Sequence, residues 1–138
     1  PFVMSDQDLS SSIGFHIPFA EHLGVSAHRQ KNGEAEVSLK LKPEHLNSWG
    51  AAHGGVILGV FDIVMGLSAK SIDDEASGAI TIELKTNFLQ TVTDKINARA
   101  RAIRSGRTLI FGEGELVNVE GQITAKATGT FKLKYPKE

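Results

Sequence analysis

Hydrophobic positions follow two rhythms along this chain, and the switch between them outlines the fold. IPFAEHLGV (Ile17 to Val25) reads as a short helix, with Pro18 in its first turn and Gly24 near its end. EAEVSLKLK then alternates, with Ala35, Val37, Leu39 and Leu41 on one face and Glu34, Glu36, Ser38 and Lys40 on the other. That period of two predicts a half-buried strand. PEHLNSWGAAHGG is a turn-rich loop leading into HGGVILGVFDIVMGLSAK, which predicts a long helix from about Gly54 to Ser71. Everything after it reads as strand. AITIELKTNFLQ places Ile80, Ile82, Leu84 and Phe88 on one side, and DKINARARAIR, TLIFGEGELVNV and QITAKATGTFKLK follow, separated by the turn signals SGR and EGQ. The last three strands are long and predict an antiparallel meander. A sheet of alternating strands has one dry face, and the long helix is the only large apolar element able to cover it. The predicted class is α+β: a curled antiparallel sheet around one long central helix. Residues 1–15 are polar and weakly patterned and read as a flexible arm, leaving residues 16–138 as a single domain without internal repeats.

Composition narrows the function classes. A chain of 138 residues with 41% hydrophobic and 22% charged residues has the make-up of one soluble globular domain. A formal net charge of −1 gives no reason to expect nucleic acid or an anionic membrane as partner. The absence of cysteine excludes a disulfide framework, a thiol nucleophile and a cysteine zinc site. His16, His22, His28 and His45 lack metal-ligand spacing and are assigned to surface or loop roles, with no metal expected. PFVMSDQDLSSS has neither the basic start nor the apolar segment of a signal peptide, and the apolar run around Asp62 is too short for a comfortable membrane span. A cytoplasmic protein is the expectation.

One residue stands out against this background. Between Val56 and Leu67 every residue is apolar or glycine except Asp62. Its helical neighbours three and four positions away are Leu58, Gly59, Met65 and Gly66, none of which can pair with a carboxylate. An ionised carboxylate buried without a partner costs several kcal/mol, so native chains pair it, expose it or use it. Asp62 therefore either meets a partner from another element or serves chemistry in an apolar site. The surroundings favour chemistry.

The start of the same helix is a second feature. His53-Gly54-Gly55 opens it, and free backbone N–H groups there suit an anion or a polarised carbonyl oxygen. Taken alone, Gly-Gly at a helix start is more often a turn device. Eight residues separate Gly54 from Asp62, about 12 Å along a helix that rises 1.5 Å per residue. A carboxylate that far away cannot act on a carbonyl held at its own helix start. If both serve one reaction, they come from two copies of the chain in a two-fold dimer with antiparallel helices.

At these residues the chain resembles the hotdog-fold acyl-CoA thioesterases of the PaaI-like (phenylacetate-pathway) branch, from IPFAEHLGV through the final strand. The motif N-x-x-G-x-x-H-G-G followed by Asp is represented by Asn47, Gly50, His53, Gly54, Gly55 and Asp62. The resemblance implies an acyl-CoA substrate, a homo-oligomer (a dimer or a dimer of dimers) with active sites shared between subunits, and no cofactor beyond the CoA of the substrate. It makes Asp62 the general base or nucleophile, and the Gly54 N–H the group that polarises the thioester carbonyl. Asn47 and His53 would orient the substrate, His53 near the departing sulfur, and Thr81 would hold the attacking water. Glutamate at the helix position marks the related Arthrobacter-type 4-hydroxybenzoyl-CoA enzymes, so the aspartate points to the PaaI-like branch.

RSGRTL matches the family's turn that touches the nucleotide end of CoA. Arg104, Ser105, Gly106 and Arg107 thereby become candidates for phosphate contacts, although residues of this kind also make plain solubilising hairpin turns. Phe88 is a further candidate for the same tunnel, although a strand phenylalanine is usually core. The competing readings are a hotdog hydratase or dehydratase, and a non-catalytic acyl-CoA-binding or regulatory module. The spacing from HGG to Asp62 opposes the first, and the presence of both Asp62 and Thr81 opposes the second. The acyl group preferred, whether aryl, medium-chain or another, is not written in these motifs.

Overall fold

The computed structural model describes residues 4, 7–10, 16–104 and 106–137. The elements run α1 (Pro18–Leu23), β1 (Ser26–Lys31), β2 (Glu34–Lys40), a 3₁₀ turn (Pro43–His45), α2 (Gly54–Lys70), β3 (Gly78–Phe88), β4 (Lys95–Arg104), β5 (Leu109–Val117) and β6 (Ile123–Lys134). All six strands form one antiparallel sheet in the order β1-β2-β4-β5-β6-β3. The meander expected of the last three strands is present as β4-β5-β6. The long helix lies in the curl of the sheet, which is the hotdog arrangement that the resemblance implies.

Small residues make the curl possible. The inner face of the sheet carries Ala98 and Ala100 on β4, Gly112 and Gly114 on β5, and Ala125, Ala127 and Gly129 on β6. Phe61 and Met65 of α2, both fully buried, fill the space that these short residues leave. A Cβ added at Gly114 would lie 2.9 Å from the Phe61 ring, so the aromatic rests directly on backbone. α1 closes one flank of α2, its Phe19 ring lying 3.0 Å from where a Cβ would stand on Gly59.

Two sequence expectations need correction. Among the described residues there are six strands rather than five, because β1 went unrecognised. Its residues SAHRQK show no alternation, and a bulge between Ala27 and Arg29 leaves Ala27 and His28 buried side by side. The signal that could have revealed it is Asn32-Gly33, both with positive φ (52° and 81°), which is the tight hairpin joining β1 to β2. His28 is accordingly not a surface residue. Its Nε2 lies 2.7 Å from Ser38 Oγ and its Nδ1 2.5 Å from the Gln7 carbonyl, so the buried ring is satisfied at both ends. Of the proposed arm at residues 1–15, the described residues 7–10 lie along this edge, where the Leu9 N–H donates to the Ala27 carbonyl at 2.7 Å. Most of the others lie outside the described residues.

The second correction concerns β3. Ile80, Ile82, Leu84 and Phe88 do not share a face, because the register shifts between Thr81 and Glu83. Ile80 pairs with Lys132 on the outer face, whereas Leu84 and Phe88 pair with Gly129 and Ala125 on the inner one. The bulge at Ile82 turns Thr81, paired with Phe131, toward the helix. Gly129 accommodates it: a Cβ there would stand 2.9 Å from the Glu83 carbonyl oxygen and 3.2 Å from Met65. Backbone cannot give way as a flexible side chain can. Gly129→Ala is therefore expected to cost about 1–3 kcal/mol in chemical denaturation. An unchanged midpoint would mean that the bulge relaxes freely and is not held by this contact.

Candidate active site

Three clusters of predicted site residues appear, in three different places. The first is at the middle of α2. Asp62 is half-buried, and the Thr81 hydroxyl donates to its Oδ1 at 2.5 Å. The partner of the lone carboxylate thus comes from β3, delivered by the bulge. Both residues line a groove of about 420 Å³ between α1, α2 and the start of β3, a size suited to a small organic group.

The second cluster is at the helix start. Asn47 organises the loop before it, its Oδ1 accepting from the Trp49 N–H at 2.9 Å and the Ala51 N–H at 3.1 Å while Gly50 takes a positive φ of 78°. The His53 N–H donates to the His45 carbonyl at 2.9 Å, and the buried His45 ring in turn accepts from the Lys42 N–H at 3.0 Å. His53 is the N-cap of α2: its Nδ1 accepts from the Gly55 N–H at 2.9 Å. That bond uses the Nδ1 lone pair, so the neutral ring carries its proton on Nε2, facing outward. The N–H groups of Val56 and Ile57 are taken by the His53 carbonyl. Among the described residues, the Gly54 N–H has no acceptor. Of the first helical turn, it is the donor left for a ligand. The Phe88 ring lies 3.6 Å from where a Gly54 Cβ would be, and both residues line a second groove of about 300 Å³ with Asn47. The two halves of the predicted site therefore open into separate grooves of one protomer.

The third cluster is the β4–β5 turn. Ser105 lies outside the described residues. Arg104 Nη2 donates to the Arg107 carbonyl at 2.6 Å, to Asp73 Oδ2 at 3.4 Å and to the Tyr135 hydroxyl at 3.3 Å. It braces the turn, and Arg107 and Gly106 are exposed at its tip. Sequence reasoning missed Asp73 and Tyr135, which lie far apart in the chain and carry no motif.

Against this geometry, comparison with known proteins is decisive. A family model described as the thioesterase superfamily matches residues 50–125, which include α2, β3, β4 and β5. This chain belongs to the thioesterase superfamily. A Saccharolobus solfataricus protein named "Putative esterase SSO2140" is 34% identical over 112 residues, covering 80% of this chain and 79% of the relative. The medium/long-chain acyl-CoA thioesterase YigI of Escherichia coli is 26% identical over 135 residues, covering 86% of this chain and 87% of YigI. Among solved structures, a variant of the phenylacetic acid degradation protein PaaI from Thermus thermophilus superposes with a TM-score of 0.75 at 26% identity, covering 86% of this chain and 99% of that one. As a thioesterase, the chain has a wrapped helix whose start and middle both carry groups suited to a thioester, in grooves that do not meet. Among the described residues no helix is long and apolar enough to cross a membrane.

Electrostatics tie the turn to the end of the sheet. The Tyr135 hydroxyl, donating to Asp73 Oδ2 at 2.6 Å, holds that carboxyl below its ordinary range, aided by the Glu75 N–H and Arg104. The same bond pushes the Tyr135 hydroxyl up. A carboxyl depressed on folding contributes stability above its unfolded pKa, and that contribution fades as pH falls through the folded value. Tyr135→Phe removes the largest cause, so the Asp73 titration, followed by carboxyl ¹³C NMR, is expected to move up toward the ordinary aspartate value. A titration unchanged by the substitution would contradict this assignment.

Proposed function

We propose that the protein hydrolyses an acyl-CoA thioester to the free acid and CoA, in active sites assembled from two subunits without metal or organic cofactor. The observation that carries the reading is the pairing of a hydroxyl-held carboxylate, Asp62 with Thr81, with an uncommitted helix-start amide at Gly54. The α2 rise keeps the two about 12 Å apart in one chain. Pairing across the β3 edge would join them. β3 is an 11-residue edge strand, longer than β1 at the opposite edge, and a long edge strand presents unpaired N–H and C=O groups to a second chain. Antiparallel pairing of β3 with its own copy about the strand centre lays the Phe88 end of one chain beside the Gly78–Thr81 end of the other. Phe88 marks Gly54, and Thr81 marks Asp62. One two-fold axis then builds two complete sites.

In such a site the Gly54 N–H of one subunit accommodates the carbonyl oxygen, which gains negative charge as the tetrahedral intermediate forms. Asp62 of the other subunit acts as general base or nucleophile. In the base route it takes a proton from a water held by Thr81, while the water oxygen bonds to the carbonyl carbon and the electron pair moves to oxygen. Collapse breaks the carbon–sulfur bond. The departing thiolate then takes the proton that Asp62 gained from the water, which restores the carboxylate, while the Nε2–H of His53 is suited to hydrogen-bond the leaving sulfur. Asn47, its Oδ1 committed to the loop, has its amide nitrogen to offer the substrate. At the β4–β5 turn, Arg107 and the Gly106 backbone would meet the phosphates of CoA, with Arg104 as their brace.

Thiol release from acyl-CoA substrates is the direct test. Asp62→Asn is expected to lower turnover by at least about a hundredfold, in line with loss of a general base or nucleophile. Thr81→Ala should reduce it moderately and Thr81→Ser should stay close to wild type. Near wild-type turnover in Asp62→Asn would remove the catalytic assignment, and equal damage from both Thr81 substitutions would reduce that residue to packing.

A further inference from the structure

The groove that holds Asp62 does not end at Asp62. Gly66 and Lys70 follow at four and eight residues, on the same stripe of α2, and both line the same cavity. The floor between the two charged residues is bare, since a Cβ added at Gly66 would meet nothing within 4 Å. His16 and Gln30 also line the groove, the Gln30 amide donating to the Leu67 carbonyl at 3.1 Å, and Ile17, Phe19, Ile63, Leu67 and Ala79 make the rest of the middle stretch apolar. The far end is not. Ser77 lines it, and Lys70 is half-buried there without a carboxylate partner among the described residues. The acidic residue one turn beyond, Asp73, is already engaged by Tyr135 and Arg104.

In order, the groove offers a carboxylate where a thioester would react, a largely apolar span, and an ammonium in the last turn of α2 with no ion pair among the described residues. The α2 rise from Asp62 to Lys70 is about 12 Å, enough to lie along a medium-length acyl chain. A methyl-ended chain would lay hydrocarbon against a half-buried cation, which costs free energy. A chain ending in carboxylate would give it a charge-assisted hydrogen bond. Resting on the thioesterase reading, we infer that this site takes acyl groups whose far end is a carboxylate: monothioesters of medium-length dicarboxylic acids, with Lys70 as the residue that selects them.

The test compares two CoA thioesters of equal carbon number, one ending in carboxylate and one in methyl. Wild-type protein is expected to prefer the first by about tenfold or more in kcat/KM, the scale of one hydrogen bond to a charged group. Lys70→Met should collapse that ratio and Lys70→Arg should keep it. A wild-type preference for the methyl-ended substrate, or a Lys70→Met variant that loses equally on both, would overturn the inference and make Lys70 a packing residue. Binding of the corresponding non-hydrolysable CoA thioethers to the wild-type protein separates the two levels of the proposal. Selective binding of the carboxylate-ended thioether without thiol release from either thioester would uphold the channel while refuting hydrolysis. Thiol release with no discrimination between the thioethers or the thioesters would do the reverse.

Discussion

The fixed rise of an α-helix governs this molecule. α2 places a carboxylate at its middle and an uncommitted amide at its start, and no local rearrangement shortens the rod between them. The segment leading into the helix is tied down as well. The loop before the helix is held by Asn47, His45 and the backbone bridge between Leu46 and Ala52, and His53 caps the first turn. A site that needs both groups must therefore be completed by symmetry. The long open edge of β3, which has Thr81 near one end and Phe88 at the other, is where the proposed second copy would pair.

A single bulge brings Asp62 its partner. Leu84, Thr86 and Phe88 pair with inner-face positions, and strict alternation would send Thr81 outward. The extra residue at Ile82 reverses that phase and delivers the Thr81 hydroxyl to Asp62. Gly129 lies beneath the bulge because its missing side chain leaves room for the Glu83 carbonyl. Packing in the β6 strand and orientation of the Thr81 hydroxyl are thus one problem, solved by one glycine.

Much of this was legible in the sequence, and the exceptions share a cause. The long helix, the β2 strand, the β4-β5-β6 meander and the isolation of Asp62 all follow from periodicity. The motif from Asn47 to Asp62 pointed to the family that the comparison bears out. What escaped depends on register. β1 and the start of β3 are both bulged, and a bulge erases the alternation by which a strand is recognised. Arg104 read as a candidate for phosphate contact because Asp73 and Tyr135, which engage it, come from distant parts of the chain. Gly66 and Lys70 were within reach, since they extend the Asp62 stripe by one and two steps of four residues, but nothing marked that stripe as a channel before the walls were seen.

Subunit complementation tests the shared site most directly. Asp62→Ala removes the carboxylate, and a bulky residue at Gly54 blocks the amide; each homodimer should be inactive. Mixing equal amounts under conditions of subunit exchange gives about half of the dimers mixed, and in each of those one site carries both lesions and the other carries none. Thiol release should then recover to about a quarter of the wild-type rate on that symmetry argument. No recovery, with exchange verified by tagged subunits, would mean that each chain builds its own site, and the account of α2 given above would be contradicted.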